Sequence, residues 1–114
     1  MLYETKQAAE KLAEQGIDAE VIDVATVSPL DIDTILESVA KTGRACIVQE
    51  APKAGALGSE IAAEIAEKQI MSLLAPIGRV SGYDTVIPYY RLEKHFMPKV
   101  EYIIDEAKRL MEYK

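Results

Sequence analysis

The chain has no tryptophan and only one histidine, one cysteine and one phenylalanine among its 114 residues. A lone cysteine, Cys46, cannot close an internal disulfide, so a disulfide scaffold is excluded and a reducing compartment is expected. A lone histidine, His95, excludes a metal centre built on several histidines and leaves any nucleophile triad resting on that residue. Positive charge is also short. Thirteen Lys and Arg stand against 19 Asp and Glu, a net charge of −6, which offers no basic face for a phosphate backbone and sets nucleic-acid binding aside. No stretch approaches the roughly 20 apolar residues of a membrane span, and the first residues lack the apolar run of a secretory signal. These absences lead to the expectation of a soluble, cytoplasmic protein that does not engage a membrane.

What is present is ordinary globular material: 49% apolar and 28% charged residues, in a length that suits one domain burying roughly two-thirds of its unfolded surface. From Tyr3 to Gln15, positions Thr5, Ala8, Ala9, Leu12 and Ala13 recur at helical spacing, and Gly16 can end the helix in a left-handed conformation. Ala19–Ala25 is short and β-branched, which predicts a strand. Ser28-Pro29-Leu30-Asp31 predicts a helix start, with Ser28 as cap and Pro29 in the first helical position. Ile32, Ile35, Leu36, Val39 and Ala40 then form one apolar stripe that Gly43 closes.

Ala45–Glu50 is an apolar run suited to a strand covered on both faces. After a loop holding Gly55 and Gly58, positions Ile61, Ala62, Ile65, Ala66 and Gln69 predict a helix capped by Ser59. Ile77–Ser81 predicts a short strand. Tyr83 to Pro98 is irregular, with one helical turn at Leu92 to Phe96, and Val100, Ile103, Ile104, Ala107 and Met111 mark a last helix. Helix and strand alternate throughout, which implies an α/β fold: a mostly parallel sheet between two helical layers. The chain opens on a helix where a strand is expected, and three short strands are few for four helices.

Candidate chemistry is sparse. A strand, a glycine turn and a helix N-terminus can cradle an anion through free N–H groups, here those of Gly58 and Ser59 with help from Lys53. The spacing, however, meets neither the P-loop nor the dinucleotide fingerprint, so the loop reads first as a turn into a helix. Glu50, at the carboxyl edge of the sheet, could act as a general base, but no partner lies at motif spacing and an ion pair or loop hydrogen bonds explain it as well. Cys46 reads as a small buried hydrophobe. Asp23, Asp31 and Asp33 read as strand-end and helix-start residues, leaving no metal site. No catalytic or cofactor-binding residue is assigned. Six of the seven aromatic residues follow Gly82, and Tyr83 to Phe96 is either a partner-facing surface or a loop packed by its own tyrosines.

The residues from Ala8 to Asp23, Thr26-Val-Ser-Pro-Leu-Asp-Ile-Asp-Thr-Ile-Leu36, Lys41-Thr-Gly-Arg44 and Val48-Gln-Glu-Ala-Pro52 resemble the transketolase-type C-terminal domain of the beta subunit of 2-oxoacid dehydrogenase first components, the pyruvate and branched-chain enzymes. The match runs on through Gly58-Ser-Glu-Ile-Ala-Ala63, Ala75-Pro76, Arg79-Val80, Asp84-Thr85 and Ile87-Pro88-Tyr89, and so covers nearly the whole chain. The resemblance implies a three-layer α/β/α domain of an enzyme that decarboxylates a 2-oxoacid with thiamine diphosphate and passes the acyl group to lipoyl-lysine. It implies that the alpha subunit holds the diphosphate and Mg²⁺. This domain would serve association with the alpha subunit and a second beta subunit, and docking of the dihydrolipoyl acyltransferase core.

No catalytic residue of the family carries over. The interface candidates are Glu50, Lys53, Gly55, Gly58, Tyr89, Tyr90, His95 and Phe96. Family members have one or two strands before the helix at Tyr3, one of them running between Ala19–Ala25 and Ala45–Glu50. The expectation is therefore a fragment or truncated form, inactive alone and prone to form a homodimer. The alternatives are a free-standing small-ligand or anion-binding module, or a C-terminal domain from another transketolase-family enzyme.

Overall fold

The computed structural model describes residues 1–113. Seven elements follow one another: α1 (Leu2–Ala13), α2 (Ile32–Thr42), β1 (Cys46–Pro52), α3 (Leu57–Gln69), β2 (Gly78–Gly82), α4 (Tyr90–Phe96) and α5 (Val100–Glu112), with a single 3₁₀ turn at Ile70–Ser72 after α3. β1 and β2 are parallel, pairing Cys46 with Gly78, Ile47 with Arg79 and Val48 with Val80 before the register shifts ahead of the Pro52–Gly82 pair. Parallel neighbours need a long crossover, and α3 supplies it.

The period-two alternation of a strand sorts the apolar residues into two cores. Ile47 faces the cluster of Ile35, Leu36, Val39, Ile61 and Ile65 from α2 and α3. Cys46 and Val48 face the cluster of Ala8, Val80 and Ile103, which joins α1, β2 and α5. Helices thus cover both faces of the sheet, in the three-layer α/β/α arrangement that the alternation of elements implied. The stripe read for α2 is the buried one, and Gly43 ends that helix at φ 71°, its N–H donating to Val39 O. Arg44 Nε donates to Leu110 O at 2.9 Å, satisfying one of the last carbonyls of α5, which helix geometry leaves open.

The structure departs from the sequence expectations at three places. Residues 19–25 form no strand, and among the described residues no backbone hydrogen bond ties residues 18–22 to another element. A strand is a paired object, and among the described residues β1 pairs only with β2. The segment is instead tethered by Ile17 N–H to Leu12 O at 2.9 Å, by Lys41 Nζ to Glu20 Oε2 at 2.9 Å, and by Ile22 against the α2–α3 core. The cap of α2 is Asp31, which accepts from the Thr34 N–H and hydroxyl, and Ser28 and Pro29 lie in the turn before it. The cap position of α3 is Ala56, so Ser59 falls inside the first turn.

Candidate functional site

The glycine loop is built to close on itself. Gly55 takes φ 67°, a left-handed turn that a side chain would strain. Gln49, on β1, accepts the Gly58 N–H through Oε1 at 2.9 Å and donates through Nε2 to Pro52 O at 3.2 Å. The Ser59 N–H donates to Ala56 O. Both N–H groups that could have gripped an anion are therefore engaged within the protein. A side chain at position 58 would meet Gln49 Oε1 at 2.5 Å, so the glycine is needed for the close approach of α3 to β1.

Around the loop, Arg79 Nη1 donates to Ser59 Oγ at 2.8 Å, and Asp84 Oδ1 accepts the Ala54 N–H at 2.8 Å. These bonds hold the turns after β1 and β2 together. A small cleft of about 390 Å³ opens beside them, lined by Lys53, Arg79, Asp84, Tyr102 and Glu106 among others. The double hydrogen bond from Arg109 holds the Glu106 carboxyl below its ordinary range, against partial burial that acts the other way. Glu106 is thus a charged, paired carboxylate and not a poised proton donor. Among the described residues, no group of three or more His, Cys, Asp and Glu side chains converges on a metal position.

Glu50 is exposed and its Oε1 lies 3.2 Å from the Met1 amino group. His95 and Lys53 are exposed. Cys46 is half-buried on β1, and desolvation pushes its thiol up to about 12, with the Glu106 charge adding to the rise, which keeps the thiolate scarce. Tyr89 and Tyr90 are 96% and 85% exposed, beside the exposed Tyr83, Val86, Ile87 and Leu92. The tyrosines of this strap therefore do not pack it. Phe96 differs from the partner-facing expectation: it is 4% exposed, and its ring lies directly over Gly82, anchoring α4 to the end of β2.

A second feature has no counterpart among the candidate residues. On the edge of β1 away from β2 lies a slot of about 730 Å³, bounded by residues 45–49 on one side and 17–24 on the other, with apolar side chains of all four long helices as its walls. It lies at the place where the resemblance led to the expectation of a further strand, between residues 19–25 and β1.

A family profile described as "Transketolase, C-terminal domain" matches residues 1–103. The chain belongs to this family. It is 47% identical over 113 residues to a protein of Staphylococcus epidermidis named "Pyruvate dehydrogenase E1 component subunit beta", covering 99% of this chain and 35% of that one. It is 46% identical, with the same coverage, to a protein of that name from Staphylococcus aureus. A solved structure titled "Split gene transketolase, inactive beta4 tetramer" superposes with a TM-score of 0.83 at 24% identity, over 99% of this chain and 36% of that one; this likeness supports the fold alone. The transketolase-domain chain thus spans about a third of the length of the curated relatives it matches. Among its described residues, no helix is long and apolar enough to cross a membrane.

Proposed function

We propose that these residues form one domain of a longer pyruvate dehydrogenase E1-type beta subunit, whose work is to join subunits and to seat the dihydrolipoyl acyltransferase core, with no turnover of its own. The observation that carries the reading is the strap at residues 83–92. It presents two almost fully exposed tyrosines and four further large apolar or aromatic side chains, of which Val86 is 88% exposed. Such a patch is costly to leave in water and has the composition of a protein contact. The partners on this reading are an alpha subunit, a second beta subunit and the acyltransferase core.

Thiamine diphosphate and Mg²⁺ would belong to other parts of that enzyme. The residues present here do not fit them, because the Gly58 and Ser59 N–H groups already have acceptors and no acidic cluster converges among the described residues. The same engaged N–H groups disfavour the free-standing anion-binding module.

Binding of the immobilised chain to purified alpha subunit, to a second copy and to the acyltransferase core tests the proposal. With at least one of them a complex is expected, weakened about tenfold or more when Tyr89→Ala and Tyr90→Ala are combined, as for aromatic anchors. The purified chain given pyruvate, thiamine diphosphate and Mg²⁺ should release no carbon dioxide. Release of carbon dioxide, or binding indifferent to both tyrosines, would overturn the reading.

A further inference from the structure

The total charge of −6 conceals an uneven distribution. Lys53, Arg79 and Tyr102 line the cleft where the turns after β1 and β2 meet, and Gly82 on its wall lies under the Phe96 ring of α4. Lys99 joins the same surface, its Nζ 6.0 Å from the centre of the Tyr102 ring. α4 adds Arg91 and Lys94, both exposed, against one acid, Glu93. The cleft and the strap at residues 83–92 are one continuous surface, since Tyr83 and Asp84 belong to both. Acids outnumber bases in the chain by 19 to 13, yet among the described residues none of Lys53, Arg79, Arg91, Lys94 and Lys99 is ion-paired. The two carboxylates of the cleft are already engaged, Glu106 by Arg109 and Asp84 by the Ala54 N–H. Cations in local excess thus stand beside exposed tyrosines, the pairing of residue types that protein interfaces favour.

We propose that the strap and the cleft beside it receive an acidic segment of another protein, whose carboxylates meet the cations of the cleft and of α4 while its apolar side chains cover the tyrosines. The inference rests on the reading of the strap as a protein contact and adds the chemistry of the partner. Opposite charge steers such a partner in and fixes its register, whereas a basic one is repelled. The occupant must also carry apolar area, because a ligand held by charge alone, such as free phosphate, leaves Val86 and Tyr89 in water at 88% and 96% exposure. A nucleic acid is a poorer occupant, since a long polyanion would also meet the field of a chain of net charge −6. A second copy of this chain is poorer too: a two-fold contact would set strap on strap and cation against cation.

Titration of the nitrogen-15-labelled chain with three octapeptides of one design tests this: one of glutamate, aspartate and leucine, one with glutamine and asparagine at the acidic positions, and one with lysine there. The acidic peptide should shift the amides of residues 79–84 and 89–95, the neutral one should bind at least tenfold more weakly, and the lysine one should not bind. Raising the salt from about 50 to 500 mM should weaken the acidic peptide about tenfold. Arg91→Glu combined with Lys94→Glu, both on the exposed face of α4, should reverse the preference and admit the lysine peptide; the salt series gives the same decision without a substitution. No shift at these residues, equal binding of the neutral peptide, or indifference to salt would overturn the proposal. So would tighter binding of a short single-stranded DNA, in favour of nucleic acid, or shifts of the same amides on dilution of the chain alone, in favour of a second copy. The peptides need no subunit, so the two readings can fail separately: tyrosine-dependent subunit binding that ignores salt and charge reversal sinks this inference alone, and acidic-peptide binding without any subunit complex sinks only the other.

Discussion

The side-chain amide of Gln49 spans the turn that the Gly58 backbone closes: Oε1 accepts the Gly58 N–H at 2.9 Å while Nε2 donates to Pro52 O at 3.2 Å. One side chain on β1 thereby fixes both ends of the loop that a sequence search would nominate as an anion cradle. Gln49→Ala leaves the half-buried Gly58 donor without a partner and should cost about 1–2 kcal/mol of stability. Gly58→Ala pushes a methyl group against Gln49 Oε1 and Ile47 Cγ2 and should cost about 1–3 kcal/mol. The double variant should lose clearly less than the sum, because both changes break the same contact. Urea unfolding of the four proteins measures this, and strict additivity would mean the two residues act independently.

Much of the fold was legible because periodicity is a local property. The stripe Ile35, Leu36, Val39 and the stripe Ile103, Ala107 needed only their own spacing, and Gly43 announced the end of α2. Residues 19–25 misled for a physical reason: their β-branched composition fits a strand, but pairing depends on a neighbour that lies outside them. Ser28 and Ser59 have the right chemistry for caps, yet Asp31 and Ala56 stand where the backbone turns into the helix. Phe96 is one residue among exposed neighbours in α4, so only the meeting of α4 with Gly82 could reveal its burial.

Gly82 ends β2 under the Phe96 ring. A Cβ there would lie 2.4 Å from Phe96 Cζ and 2.6 Å from Glu50 O. The carbonyl is backbone of β1 and cannot move without distorting the sheet. Gly82→Ala should therefore destabilise by at least about 2 kcal/mol, with a larger loss of α4 protection in hydrogen exchange than of α2 protection. A midpoint of unfolding unchanged by this substitution would contradict the packing described.

The Met1 amino group faces Glu50 and Glu4. Partial burial lowers its proton affinity, but the hydrogen bond to Glu50 and the attraction of both carboxylates outweigh it, so its pKa lies above the ordinary 8.0. A group whose folded pKa exceeds the unfolded one contributes stability that is fully present below pH 8 and lost as the pH rises through the folded value. The contribution should be under about 1 kcal/mol, since Glu50 is open to water and screened. Melting curves of the chain with a free amino terminus should fall slightly between pH 7.5 and 10, and amino-terminal acetylation should remove that slope.

Asp31 caps α2 by accepting from Thr34 twice, through the hydroxyl and the N–H, and these bonds hold its carboxyl below the ordinary 3.8. The sign is opposite to that of Met1. The stabilisation is present above the unfolded pKa and disappears as the pH drops through the folded value. Asp31→Asn keeps an acceptor for the Thr34 N–H, so it should melt close to the parent at neutral pH while losing part of the acid sensitivity. Asp31→Ala should lower the midpoint at neutral pH and approach the parent at pH 2. Circular-dichroism melts at the two pH values distinguish these outcomes, and a parent-like Asp31→Ala at neutral pH would show that the cap contributes nothing.

Cys46 reports on whether the sheet interior stays closed. Burial raises its thiol to about 12, so at pH 8 the reactive thiolate should be about a thousandfold scarcer than in an unfolded chain with a pKa near 8.5. Iodoacetamide alkylation at pH 8 should accordingly be slower by that order in the native protein than in urea that unfolds it. The thiol also borders the slot beside β1, which makes its rate sensitive to that edge as well as to global unfolding. If alkylation tracks global stability as urea is raised from zero, the edge opens only with the whole domain. A rate independent of urea at low concentration would instead mean that the β1 edge opens on its own, and native labelling as fast as in the unfolded chain would show that Cys46 is not buried in solution.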